Sequence, residues 1–240
     1  MDSDLASRLE GILKRIEAAA TRVGRDPKEI TLVAVSKLKP AELMRDYLES
    51  ALRFGVRVVF GENYLQELCL KISELGAVGE FHLIGPLQSN KVKQAVRSAD
   101  VIESVHSEKI LEALAKEAKA IGKRQSIYLQ VNIGLDPAKS GFLADQVLSA
   151  INLASERSDS VSLLGLMTIT PYYGEGQGES ARRDFIALRG LRDSLVAAGA
   201  ARFFDGGQIA LSMGMSSDFE VAIEEGADLV RIGSAIFGER

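Results

Sequence analysis

The sequence predicts an α/β protein built as a single (β/α)8 barrel, a TIM barrel, with one extra helix ahead of the first strand. Three observations predict it. Eight short apolar, β-branched runs recur along the 240 residues, and segments of helical periodicity alternate with them. Most of the runs are continuously apolar, as parallel strands covered on both sides are. A barrel of eight such units typically takes about 250 residues. An open doubly wound sheet is the alternative for the same pattern. No strong linker divides the chain, so residues 1–240 are expected to form one domain.

Ahead of the runs, residues 5–23 place Leu5, Leu9, Ile12, Leu13, Ile16 and Val23 on one helical face, and Gly24 and Pro27 close that helix. The runs are Thr31–Val35, Arg57–Phe60, Phe81–Ile84, Val101–Val105, Ile127–Val131, Ser162–Met167, Ile209–Met213 and Asp228–Ile232. After the first, Leu43, Tyr47, Leu48, Ala51 and Leu52 recur at helical spacing behind Pro40, a residue suited to a first turn. Ile110, Leu111, Leu114 and Ala118 follow the fourth run, with Ser107 as the cap. Phe185, Leu188, Leu191, Leu195 and Val196 precede the seventh. Ser217–Asp218–Phe219–Glu220 has capping-box spacing, and Gly226 ends that helix. The glycine-rich stretch Thr170–Gly178 opens no helix with a dinucleotide fingerprint. It reads as a surface loop, with a mobile lid as the functional alternative.

Composition excludes several classes. Lys plus Arg is 29 against 33 for Asp plus Glu, a net charge of −4, whereas nucleic-acid binders usually carry a basic excess. The basic residues Lys116, Lys123 and Arg124 read as solvated helix ends. The one cysteine, Cys69, cannot form an internal disulfide, which fits a reducing, cytoplasmic compartment. It lies among apolar residues at helical spacing and reads as a buried thiol. Two histidines and one cysteine are too few for a usual zinc site. No apolar run approaches the ~20 residues of a membrane span. The acidic start Met1–Asp2–Ser3–Asp4 predicts no secretory signal.

Barrels place their chemistry at the C-terminal ends of the strands. Lys37 directly follows the first run, at the barrel mouth. In a semi-enclosed pocket such a lysine can lose its proton and attack a carbonyl to form a Schiff base. Snorkelling to solvent is the equal alternative. Arg231 interrupts the last run and needs either an anionic ligand or an ion pair with a barrel carboxylate such as Glu62. After the seventh and eighth runs come Ser212–Met213–Gly214–Met215–Ser216–Ser217 and Gly233–Ser234–Ala235. Their small residues and helix starts favour a phosphate, and capping by Ser217 is compatible with that. A lysine, an arginine and a phosphate cradle together suggest a ligand with an aldehyde, a ring nitrogen and a phosphate, as pyridoxal 5′-phosphate (PLP) has.

Longer motifs carry a family resemblance. They are Leu32–Val33–Ala34–Val35–Ser36–Lys37, Phe60–Gly61–Glu62–Asn63–Tyr64–Leu65–Gln66–Glu67, and the segment from Phe81 to Lys91. Lys139–Ser140–Gly141–Phe142, Gly165–Leu166–Met167, Leu211–Ser212–Met213–Gly214–Met215–Ser216, and the segment from Val230 to Gly238 follow in order. With these the chain resembles the YggS/PROSC family of pyridoxal phosphate homeostasis proteins over nearly its whole length. The resemblance implies a fold-type III PLP barrel, like the N-terminal domain of alanine racemase. It implies that Lys37 carries PLP as an internal aldimine and that Arg231 faces the pyridine nitrogen. It implies that Ser212, Gly214, Ser216, Gly233 and Ser234 surround the phosphate, with Asn63 near the cofactor.

One departure bears on activity. Alanine racemases continue into a β-rich second domain that supplies a catalytic tyrosine, and this chain is expected to lack it. Proton transfer on two faces of a carbon needs an acid or base on each. Lys37 serves one face, and no partner for the other is evident unless Tyr172 or Tyr173 reaches over from the flexible loop. The resemblance therefore implies a non-catalytic role in PLP and vitamin B6 balance and amino-acid metabolism. PLP-dependent apoenzymes are the implied recipients, and a monomer is expected. The alternatives are a PLP-dependent racemase or decarboxylase of amino acids, and a barrel aldolase that uses Lys37 without PLP.

Overall fold

The computed structural model describes residues 3–76, 78–174 and 177–238; Met1, Asp2, Ala77, Glu175, Gly176, Glu239 and Arg240 lie outside them. The first half of the chain runs α1 (Ser3–Arg22), β1 (Thr31–Val35), α2 (Ala41–Arg53), β2 (Val59–Glu62), α3 (Leu65–Leu75), β3 (Glu80–Leu83), α4 (Val92–Ser98) and β4 (Val101–Val105). The second half runs α5 (Glu108–Ala120), β5 (Gln125–Gln130), α6 (Val147–Ser155), β6 (Val161–Met167), α7 (Gln177–Ala197), β7 (Ala210–Met215), α8 (Phe219–Glu224), β8 (Leu229–Ile232) and α9 (Ser234–Phe237).

Every strand pairs in parallel with the next, and β8 returns to β1 with Thr31 opposite Leu229 and Ala34 opposite Ile232. That pairing closes the barrel and rules out the open sheet. β1 and β4 coincide with their predicted runs. β2 starts and ends two residues later than predicted, since its pairing with β3 runs from Val59 opposite Glu80 to the fully buried Glu62 opposite Leu83. β7 continues through Gly214 to Met215, and its register against β8 shifts between Ser212 and Met215. Such an irregularity re-aims the strand end.

Alternation along each strand separates two cores. Leu32, Ala34, Phe60, Ile102 and Leu211 join the layer between strands and helices. Val33, Val59, Val101, Tyr128, Met167 and Leu229 form a smaller cluster inside the barrel. Two residues further along their strands, Glu103 and Arg231 share the inward phase of Val101 and Leu229. The mouth end of the interior is therefore polar.

α1 packs on α2, α8 and α9. Its stripe Leu5, Leu9, Ile12, Ile16, Ala19 and Ala20 is buried. Each such Leu or Ile contributes ~1.5–3 kcal/mol of burial. Arg8 Nε donates to Ile236 O at 2.7 Å, and Arg15 reaches Glu220 at 2.8 Å. Val23 lies past the end of α1 and is exposed, unlike the prediction, as are Leu52 and Val196 on their helices.

Three other local expectations change. Cys69 is only partly buried, with its Sγ 3.2 Å from Ser98 Oγ and 3.3 Å from Gln94 Nε2. Lys123 is not simply solvated; its Nζ donates to Val96 O and Ala99 O at 2.7 Å each, capping the end of α4. The N-cap of α8 is Asp218 rather than Ser217. Asp218 turns its carboxylate back to Met215 N at 2.5 Å. Ser107 caps α5 as predicted, accepting from Ile110 N at 3.4 Å.

Candidate functional site

A cavity of about 720 Å³ opens at the C-terminal mouth of the barrel. Volumes of ~300–1,000 Å³ suit a small-molecule ligand. Lys37, Asn63, Ser216, Arg231, Gly233 and Ser234, all expected at the site, line it. Ser212 and Gly214 do not. Four lining side chains are basic: Lys37, Lys39, Lys139 and Arg231. No carboxylate is among the described residues that line it.

Lys37 sits in the turn that follows β1 and is half-buried. Ser36 N donates to Gly61 O at 3.1 Å, so the sheet continues one residue beyond β1. Lys39 N then donates to Ser36 O at 3.0 Å and closes a tight turn. Leu38 pays for this turn with a left-handed backbone, φ +60°, which non-glycine residues seldom adopt.

On the far side of the mouth, Gly233 N donates to Ser216 Oγ at 3.3 Å. A Cβ on Gly233 would lie 3.0 Å from Val35 O, so glycine lets the loop after β8 approach β1. Gly214 has φ +91°, and a Cβ there would lie 2.5 Å from Ala222 Cβ. This glycine admits α8 against β7 rather than contacting the cavity. Ser217, which does not cap α8, also lines the cavity.

Arg231 is nearly fully buried on β8. Its Nη1 donates to Ser212 Oγ at 2.6 Å and its Nη2 to Thr168 O at 2.6 Å. Ser212 Oγ donates onward to Glu103 Oε2 at 2.5 Å, and Arg231 Nη1 lies 3.9 Å from the same oxygen. The carboxylate paired with Arg231 is thus Glu103, not Glu62. Glu62 faces outward to α3, where its Oε1 accepts from Lys71 at 2.7 Å. Burial pushes the Glu62 carboxyl above its ordinary value, against the pull of Lys71 and Ser36.

Glu103 Oε1 meets His82 Nδ1 at 2.6 Å, and His82 Nε2 meets Glu80 Oε1 at 2.9 Å. Burial drives the imidazole toward neutrality, but the hydrogen bonds and charges of Glu103 and Glu80 outweigh it and raise its pKa to about 9. Burial likewise opposes the charge of Glu103, and His82, Arg231 and Ser212 together hold its carboxyl below the usual range. Burial lowers the Arg231 pKa from its ordinary value, and a guanidinium stays charged in proteins. A chain of buried polar groups therefore fixes Arg231 from below. Sequence reasoning missed Glu103 and His82. The signal was present, since each interrupts an apolar run.

The described part of Thr170–Gly178 is anchored; Glu175 and Gly176 lie outside the described residues. Tyr173 N donates to Gln177 Oε1 at 2.5 Å, and the Tyr173 hydroxyl bonds Asp184. Gln177 Nε2 donates to Pro171 O at 3.1 Å. Lys139, also missed, donates to Ile169 O at 3.2 Å and to Thr170 O, linking this loop to the one after β5. Burial lowers the Lys139 pKa, against the pull of nearby aspartates. Tyr172 is 86% exposed. Among the described residues no group of His, Cys, Asp and Glu is placed to hold a metal ion, and no helix is long and apolar enough to cross a membrane.

Comparison with known proteins places this barrel. The family model for the alanine racemase N-terminal domain matches residues 8–240. The pyridoxal phosphate homeostasis protein of Aquifex aeolicus is 38% identical over 234 residues, covering 97% of each chain. That of Escherichia coli K12 is 37% identical, covering 99% of this chain and 97% of the relative. PipY of Synechococcus elongatus PCC7942, solved with PLP bound, matches with TM-score 0.79 and 33% identity over 98% of this chain and all of that one. Alanine racemase from Corynebacterium glutamicum shares the fold, with TM-score 0.66 at 17% identity, and this chain covers 61% of it. The chain belongs to the alanine racemase N-terminal domain family and, within it, to the pyridoxal phosphate homeostasis proteins.

Proposed function

We propose that this protein holds pyridoxal 5′-phosphate in the cavity at the barrel mouth and serves in the cell's balance of that cofactor, not as a catalyst. The observation that carries the reading is the cavity lining, four basic side chains and no carboxylate among the described residues, with a lysine on one wall and serine–glycine loops on another. An anionic ligand with a carbonyl suits that donor set. The PLP-bound relative and the names of the homologues support the same reading.

When bound, PLP supplies an aldehyde that a neutral amine captures with loss of water. Lys37 is the amine in this proposal. Ser216, Ser234 and the backbone of Gly233 hold the phosphate, and Asn63 lies beside the cofactor. Arg231 meets the ring nitrogen. A guanidinium there does not protonate a pyridine, so the ring stays a weaker electron sink than one facing a carboxylate. Ser212 and Gly214 act at one remove: Ser212 holds Arg231, and Gly214 lets α8 and its loop close in.

Two features favour holding over turnover. The Tyr173 hydroxyl is engaged by Asp184, and neither Tyr172 nor Tyr173 lines the cavity. Neither tyrosine is therefore placed as the second proton carrier opposite Lys37. The proposal extends to a cytoplasmic monomer that hands PLP to apoenzymes. The test incubates PLP-loaded protein with enantiopure amino acids and, separately, with an apo PLP enzyme. Reactivation of the apoenzyme without racemisation or decarboxylation is expected. Turnover that disappears in Lys37→Ala would instead establish an enzyme.

A further inference from the structure

Behind the Lys37 turn, on the side away from the cavity, lies a second cluster of charges. Lys71 on α3 is nearly fully buried. Its Nζ makes three hydrogen bonds: to Ser36 O at 2.6 Å, to Glu62 Oε1 at 2.7 Å and to Glu67 Oε1 at 2.7 Å. An ammonium has three N–H donors, so all are used. Glu67 Oε1 also accepts from Leu38 N at 2.6 Å. Ser36 Oγ donates to Glu62 Oε1 at 2.5 Å.

The chemistry of this cluster has one focus. Ser36 and Leu38 flank Lys37, and both are held by it. Ser36 is bonded by Lys71 directly, and Leu38 through the Glu67 carboxylate. Leu38 is the residue with the left-handed backbone, a conformation that persists only where its surroundings over-determine it. None of Ser36, Glu62, Glu67 and Lys71 lines the cavity, so none reaches a ligand there. A buried ammonium is costly unless paired, and simple helix packing needs no lysine at this place.

We infer that Lys71 and Glu67 form a clamp outside the barrel that fixes the turn carrying Lys37, which makes them positioning residues for that amine. The inference rests on the reading of Lys37 as the attachment amine. Glu67 relays the clamp through an oxygen acceptor, so an amide oxygen at the same place serves as well. Lys71 is the hub. Without it Glu62 and Glu67 face each other with no cation between them.

The test uses the full chain with Glu67→Ala, Glu67→Gln and Lys71→Met beside wild type. Two quantities are read: hydrogen exchange at the Leu38 amide without cofactor, and the rate at which added PLP becomes borohydride-fixed on Lys37. Glu67 is partly exposed and Glu62 still pairs with Lys71, so Glu67→Ala is expected to fold, with melting lowered less than in Lys71→Met. It should exchange Leu38 about tenfold faster and capture PLP about tenfold more slowly, the factor expected for the lost hydrogen bond to the Leu38 amide. Glu67→Gln should restore both. Lys71→Met should show the same two defects together with lower melting. Unchanged exchange and capture in Glu67→Ala overturns the clamp, as does a Glu67→Gln variant as impaired as Glu67→Ala. Failure of wild type to fix PLP on Lys37 overturns the functional reading instead, and leaves the exchange measurement to judge the clamp.

Discussion

The interior chain Glu80–His82–Glu103–Ser212–Arg231 makes a quantitative prediction for His82→Gln. The imidazole pKa rises from 6.5 to about 9 on folding. That rise corresponds to about 3 kcal/mol of stabilisation by the protonated form. A group whose folded pKa is raised gives its full contribution below the unfolded value. His82 should therefore stabilise the fold fully below pH 6.5 and lose that contribution as the pH passes through about 9. Glutamine cannot titrate but still offers Glu103 a donor. For a chain of this length each kcal/mol shifts melting by ~2–4 °C, so His82→Gln should melt about 6–12 °C below wild type at pH 6. Most of that gap should close by about pH 9.5. The assay is thermal unfolding followed by circular dichroism for both proteins across that range. A gap of the same size at both ends would mean that His82 contributes only packing and no protonation-linked stability.

Other perturbations have equally definite outcomes. Arg231→Met removes the more distant of the two cations beside Glu103 and leaves His82 paired with it, so it should destabilise by less than the ~3–5 kcal/mol of an unpaired buried charge; it should also shift the absorbance and weaken the affinity of bound PLP, and an unchanged titration would place Arg231 away from the ligand. Gly214→Ala meets both φ +91° and a 2.5 Å contact with Ala222 Cβ. Overpacking of that kind costs ~1–3 kcal/mol, and the displaced α8 loop should weaken phosphate and PLP binding by titration; full affinity would mean that the loop does not need this packing. Lys37→Ala, at a half-buried turn, should melt within about 2 °C of wild type; global unfolding would identify a structural lysine.

Much of this architecture is legible in the sequence, and the reasons are local. Thr31–Val35 is an almost wholly apolar run and Val101–Val105 an apolar, β-branched one broken by Glu103 and Ser104, and each forms a strand with those bounds. Lys37 announces itself by following such a run, and Arg231 by interrupting one. What escapes is pairing across the barrel. Glu62 and Glu103 look alike as carboxylates near strand ends. Glu103 lies two residues after inward-facing Val101, whereas Glu62 lies three after inward-facing Val59. Strand alternation therefore sends one toward Arg231 and the other toward α3. Depth is hidden too. Ser212 precedes Ser216 by four residues, roughly 13 Å along a strand. It therefore sits beneath the cavity while Ser216 lines it. The Asp218 cap escapes because its carboxylate is engaged by Met215, Thr170 and Gln177, which are set by tertiary packing.

In the proposed function, Lys37 at the mouth of this barrel is where PLP is held. The most direct test is to load the pure protein with PLP, reduce with borohydride, and map the modified peptide by mass spectrometry. One dominant adduct on Lys37, absent from Lys37→Ala, is expected. A dominant adduct on Lys39 or Lys139 instead, or a protein that takes up no PLP, would contradict it.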